Sequence, residues 1–296
     1  MARRKQTEKE QLQTQAGREL SIYKRDDMVQ KARLNLSTVE QKCVLFAISK
    51  IKPSDTAFQE YTFELSHFYA ICGYQKESYT EMKAILKGLS DKSWWAVIDD
   101  KGTESVIRWF TTVRTNKRSG KVIIKFHEDM MPFLLELAKQ AELGEYYTGY
   151  NLQYILPMSS QYSPRLYELL KSYQKNNREW FFEIDELKRV MDCQNYKNFN
   201  DFKRFALEPA VKEINEYTDL NVAYDTEKQG RKVTRVIFYM AGKGRQALLE
   251  AKKAGAEKLD GQMDFEELMR EFREQEKNSV KAQFFRENPI EPPEGE

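Results

Sequence analysis

One pattern occurs twice in this chain, about 119 residues apart, and it limits the folds available. The first copy reads Phe63-Glu64-Leu65-Ser66-His67-Phe68, then a lysine-bearing helical stretch, then β-rich segments split by the basic turn Arg114 to Lys121. The second reads Phe182-Glu183-Ile184-Asp185-Glu186-Leu187, another basic helical stretch, and β segments split around Asp225 to Lys232. A repeat this long signals duplicated domains, because solenoid repeats run roughly 20–50 residues. Helix, helix and basic hairpin in that order is the plan of a winged-helix module. The expected fold is therefore α+β: two tandem winged-helix domains, a helix-turn-helix plus hairpin wing in each, with a helical, charged C-terminal tail.

At 296 residues the chain is long enough for two cores. Charged residues make up 32% of it, and the net charge of +2 conceals a gradient. Residues 1–240 hold 38 Lys and Arg against 33 Asp and Glu, whereas 241–296 hold 10 against 13. So mild an excess leaves the placement of the bases to decide whether nucleic acid is the partner. The three cysteines, Cys43, Cys72 and Cys193, are far apart and form no Cys-x-x-Cys pair, so free thiols in a reducing compartment are expected. No apolar run reaches a membrane span of about 18 residues and no signal peptide opens the chain, so a soluble cytoplasmic protein is expected.

Along the chain, residues 1–20 read as a disordered polar arm. Domain 1 is expected over 21–145, domain 2 over 146–241, and the tail over 242–296. Ser37 with Glu40 forms a capping-box pattern ahead of an apolar helical stripe. Ser66 reads as the cap of a short helix through Cys72, and Tyr79 to Leu89 as the next helix. Trp94–Ile98, Ser105–Val113 and Val122–Phe126 read as a three-stranded meander, and Glu128 to Leu143 as a helix. In the second half, Ser163 reads as the cap of a helix with Pro164 at its first position. Asp185 is expected to cap the helix after strand Trp180–Ile184. Asn200 to Tyr217 reads as a longer helix kinked near Pro209, with Phe199, Phe202, Phe205 and Ala206 facing the core. Phe265, Leu268, Met269 and Phe272 recur at helical spacing within 264–286, which fits either a helix packed on the body or one that binds a partner.

Catalytic patterns are missing. His67 and His127 belong to no His-x-His or His-Glu-x-x-His cluster, no phosphate-binding glycine loop occurs, and Gly-x-Ser-x-Gly does not appear. The chain reads as a non-enzyme with no cofactor and no metal. The positive signal is basic. Arg114, Lys117, Arg118 and Lys121 lie within eight residues of the first hairpin. Lys228, Arg231 and Lys232, with Arg235 on the following strand, mark the second. Lysine and arginine neutralise phosphates, while Gly120 and Gly230 permit tight turns. At the start of the second recognition helix stand Lys197, Asn198, Asn200, Lys203 and Arg204. Arginine can read guanine and asparagine adenine, each good pair contributing roughly 1–3 kcal/mol of discrimination. The first helix offers Lys83 and Lys87, which suit backbone anchoring. Specificity is thus assigned to the second module and anchoring to the first.

The chain resembles the plasmid replication initiators that bind iterons in theta-type replication. The resemblance rests on Tyr23–Val29 with Asn35-Leu36-Ser37, on Tyr162 to Leu170, on Phe202-Lys203, on Pro209 to Asn215 and on Gly230 to Val233. It spans about residues 20–240 and leaves the tail outside. It implies binding to direct repeats at an origin as a monomer, and a homodimer, formed largely through the first module, that represses its own gene at an operator. It also implies opening of adjacent AT-rich DNA and recruitment of a host initiator and replicative helicase. Carried onto this chain, it implies DNA contacts from Lys203, Arg204 and Arg231-Lys232 and a phosphate contact from Arg165. A winged-helix transcriptional regulator and a protein-docking scaffold are the competing readings; a tyrosine-dependent nickase lacks its histidine cluster.

Overall fold

A computed structural model of the protein describes residues 20–260 apart from 53–54, 73, 75–77, 98–102 and 143–145. The expected arm over 1–19 and the helical pattern over 264–286 lie outside the described residues. No described helix is long and apolar enough to cross a membrane.

The chain enters through β1 (Ser21–Arg25) and α1 (Asp26–Lys31). α2 (Thr38–Ile48) follows, and the capping box is formed: Ser37 Oγ accepts from the Glu40 amide while the Glu40 carboxylate accepts from the Ser37 amide. Two otherwise orphaned N–H groups are thereby satisfied, and Ser37→Ala is expected to cost about 1 kcal/mol of unfolding free energy in urea titration.

β2 (Tyr61–Glu64), α3 (Leu65–Ile71), α4 (Tyr79–Asp91), β5 (Phe110–Asn116) and β6 (Lys121–Phe126) complete the first module, with β3 (Ser93–Val97) and β4 (Glu104–Arg108) between α4 and β5. The expected meander is instead two sheets, β3–β4 and β2–β6–β5. The expected strand Ser105–Val113 breaks at Trp109, whose indole turns inward against Trp94. Packing of two large rings outweighs continuous strand propensity. Ser66 does not cap α3; the cap position falls two residues earlier, at Glu64. Glu128 to Leu143 is likewise broken, into a 3-10 turn, α5 (Met131–Leu134) and α6 (Leu137–Glu142), with Glu136 between the helices at φ 50°.

β7 (Tyr147–Asn151) then returns to pair antiparallel with β1, setting Gly149 opposite Tyr23. A Cβ on Gly149 would lie 2.7 Å from the Tyr23 ring, so glycine is what lets that ring cross the neighbouring strand.

The second module repeats the plan: α7 (Ser163–Gln174), β8 (Glu179–Glu183), α8 (Ile184–Val190), a recognition helix, then β9 (Leu220–Gln229) and β10 (Lys232–Gly242). Its sheet order, β8–β10–β9, matches β2–β6–β5 of the first module, so the duplication seen in sequence holds in topology. Ser163 is not a cap but the first residue of α7, behind Tyr162, and Glu183 rather than Asp185 stands before α8. As in α3, helix follows strand directly, because Ile184, like Leu65, enters the core at the switch.

The recognition helix runs as α9 (Phe199–Phe202), a π-helical turn (Lys203–Leu207) and α10 (Glu208–Tyr217). The Glu208 amide donates to the Lys203 carbonyl across the wide turn, just ahead of Pro209, which has no amide to donate. The extra residue in this turn changes the facing. Phe202 and Ala206 are buried as expected, but Phe205 is 49% exposed and stacks on Tyr196. Finally, α11 (Arg245–Asp260) packs back on α10, with Gly255 against Pro157 and Lys258 Nζ 2.8 Å from Ser159 Oγ.

Candidate nucleic-acid interface

A cleft of about 840 Å³ opens between the start of the recognition helix and the second wing. Lys197, Asn198, Asn200 and Lys203 line it from the helix side, and Lys228, Arg231 and Lys232 from the wing. Seven of the residues singled out in the second half of the sequence thus meet in one concave surface. β9 and β10 pair out to Gln229 and Lys232, leaving Gly230 at φ 62° to turn the chain and Arg231 beside it. Among the described residues Lys197, Lys228, Arg231 and Lys232 enter no ion pair, and Lys203 reaches Glu208 at 3.5 Å. Asp185 and Asp225 are the acids on the wall. Bases left uncompensated around a groove create a local positive potential that phosphate oxygens relieve. The N-terminus of the recognition helix, at the same groove, adds its partial positive charge.

Three of the contacts expected in the second half of the chain are corrected by the structure. Asn198 is the N-cap of the recognition helix: its Oδ1 accepts from the Asp201 amide at 2.8 Å and its Nδ2 donates to the Asp201 carboxylate at 2.6 Å. Its amide is therefore committed to holding the helix start rather than reading adenine. Asn198→Ala is expected to lower stability by about 1 kcal/mol while leaving base preference at every position unchanged, measurable by urea titration beside a binding-site selection.

Arg235 lies on the outer face of the sheet, with Nε 2.6 Å from Glu183, Nη1 3.4 Å from Glu227, and its guanidinium over the Phe181 ring. Those two carboxylates raise its pKa and compensate its charge. It points away from the cleft because the β-bulge between Val233 and Arg235 shifts the strand's facing.

Arg165 is buried between the modules. Its Nε donates to the Val190 carbonyl at 3.0 Å and its Nη2 to the Ala32 carbonyl at 2.6 Å, so it holds no phosphate. Burial lowers its pKa to about 10, which leaves it charged at neutral pH. Beside it, Glu168 accepts from both Lys24 and Tyr150. Desolvation drives the Lys24 pKa down and the Tyr150 pKa up. This cluster ties β1 and β7 to α7. The resemblance misplaced Arg165 because a phosphate-binding arginine and a buried linking arginine look alike without the tertiary contacts.

Arg204 is exposed on the recognition helix but is not among the residues that line the cleft, and its guanidinium lies 5.1 Å from the Phe205 ring centre. Lys188 lines the groove and was missed in sequence; it is nearly buried, its Nζ donating to the Tyr196 carbonyl at 2.7 Å. Its role there is to brace the turn before the recognition helix.

The first module offers a flatter counterpart. Lys83 and Lys87 are exposed on α4, with Lys87 paired to Asp91 at 2.7 Å. Tyr79 Oη donates to Thr115 Oγ1 at 2.8 Å, fixing the wing to the helix. Asn116 Oδ1 accepts from the amides of Arg118 and Ser119, and Gly120 adopts φ 65°, which together shape the tip that carries Lys117, Arg118 and Lys121. Arg114 is paired with Glu60 at the side of the sheet rather than standing free at the tip.

Two winged-helix modules in tandem, each with a basic wing beside its recognition helix, define a protein of the double winged-helix class. Within that class the chain belongs to the initiator replication protein family. The family's first winged-helix domain, described as "Initiator Replication protein, WH1", matches residues 21–171, and its second, "Initiator Rep protein, WH2", matches 183–240.

The chain is 32% identical over 145 residues to a replication initiation protein of Escherichia coli, covering 47% of this chain and 42% of that one. It is 27% identical over 149 residues to the PI protein of Escherichia coli, covering 45% and 47% respectively. These matches span less than half the length of either curated relative. Among solved structures, the Pi initiator protein in complex with iteron DNA superposes with a TM-score of 0.52 at 18% identity, over 76% of this chain and 98% of that one. At that identity the likeness is one of fold.

Proposed function

We propose that this protein is a plasmid replication initiator that binds direct repeats at its origin, acting by binding and DNA distortion rather than by catalysis. The observation that carries this reading is the basic cleft between the recognition helix and the second wing, in a chain of the initiator family. The second module reads bases through Asn200 and Arg204, while Lys197, Lys203, Lys228, Arg231 and Lys232 grip phosphates on either side. Lys83, Lys87 and the first wing anchor the other module on the same duplex. A dimer that represses its own gene, and contacts with a host initiator and replicative helicase, complete the expected activity of such a protein.

The test is fluorescence anisotropy on DNA from beside its own gene against a scrambled duplex, titrated with salt. An excess of at least about 10³ for the native DNA, with a steep salt slope, supports the reading. Equal weak binding to both duplexes at every salt concentration sinks it.

A further inference from the structure

The outer face of the second module's sheet plays no part in the DNA grip. Cross-strand partners share a face of a sheet, so the register places its residues in rows. Glu183, Arg235 and Glu227 form one row, Phe181, Ile237 and Asp225 the next, and Glu179, Tyr239 and Ala223 the third. Phe181 and Tyr239 are 50% and 42% exposed, whereas the alternate residues Val236, Phe238 and Met240 are buried in the core. Apart from Asp225, which also borders the cleft, the face thus holds three acids against one arginine, which two of those acids already bind. Phosphate is repelled by such a surface, and exposed aromatic rings rimmed by charge suit contact with protein.

The equivalent sheet of the first module carries the opposite sign. On the same face of β2–β6–β5, Thr62, Ile123 and Arg114 form the central row, with Glu64, Lys121 and Asn116 on one side and Lys125 opposite Thr112 on the other. Ile123 holds the position on β6 that Ile237 holds on β10. Lys121, Lys125 and Arg114 surround it against Glu64, and Glu60 lies at the edge bound to Arg114.

We propose that the acidic outer face of the second module docks on the basic outer face of the first module in a second copy of this chain, making the filling of adjacent repeats cooperative. This rests on the initiator reading above, since direct repeats set successive copies head to tail. A contact between two unlike faces propagates in one direction, as such a row requires.

The test titrates duplexes carrying one and two copies, at native spacing, of the direct repeat footprinted beside the gene. It uses the wild type, the double variant Glu179→Lys with Phe181→Lys, and Lys125→Glu; none of these positions lines the cleft or a wing tip. Wild type is expected to fill the second repeat about tenfold more tightly than the first. Each variant is expected to bind one repeat within about twofold of wild type yet to fill two independently. Combining all three substitutions exchanges the charges at the substituted positions of the two faces and is expected to recover part of the cooperativity. Cooperativity untouched by either variant overturns the proposal, as do wild-type copies that fill two repeats independently. Wild type that cannot tell a single repeat from a scrambled duplex defeats the initiator reading itself, and this proposal with it.

Discussion

Reversing the charge of the second wing, Arg231→Glu with Lys232→Glu, is expected to weaken binding to the native repeat by roughly 100-fold or more and to flatten the salt dependence by about two contacts' worth. Both side chains line the cleft, and neither forms an ion pair among the described residues. The substitutions thus remove two phosphate neutralisations and add two repulsions without breaking an internal contact. Gly230 holds the positive φ of the turn and is untouched, so the hairpin keeps its shape. Anisotropy at three or more salt concentrations separates the two effects. A change in affinity with an unchanged salt slope shows that the wing lies off the DNA. Unchanged binding removes the cleft from the interface.

The second large effect is structural. Glu168→Ala is expected to cost about 3–5 kcal/mol, because it leaves Lys24 and Arg165 buried together with no carboxylate between them. Tyr150 also loses the acceptor for its hydroxyl. Glu168 stands on α7, and Lys24 and Tyr150 stand on β1 and β7, so the loss falls on the seam between the modules. Limited proteolysis is expected to cut between them sooner, and urea unfolding to separate into two transitions. Glu168→Gln keeps an acceptor for Tyr150 and is expected to be milder. A variant that unfolds in one transition near the wild-type midpoint shows that the cluster contributes little to stability.

Much of this was legible in the sequence, for identifiable reasons. The capping box at Ser37 and Glu40 depends on side chains three residues apart, and it formed as read. The wings were legible because glycine and clustered bases mark a tight, solvent-facing turn whatever packs beneath it. Pro209 marked an irregularity in the recognition helix, although its form, a π turn that sends Phe205 outward, follows from how the helix settles on its neighbours. The Trp109 break, which splits one expected strand into two sheets, was hidden because it serves a ring contact with Trp94 rather than a local preference. The pairing of β7 with β1, across more than 120 residues, left no local trace at all.

The duplicated helix–helix–wing plan and the basic character of both wings can be read from residue order alone, because each follows from local periodicity, turn chemistry and charge. What each polar side chain does depends on the packing of distant segments. Asn198 became a cap, Arg235 a partner of Glu183 and Glu227, and Arg165 a buried link between modules. All three are hydrogen-bonding groups whose role is set by the nearest partner in space, and for Arg165 and Arg235 that partner lies far away in the chain.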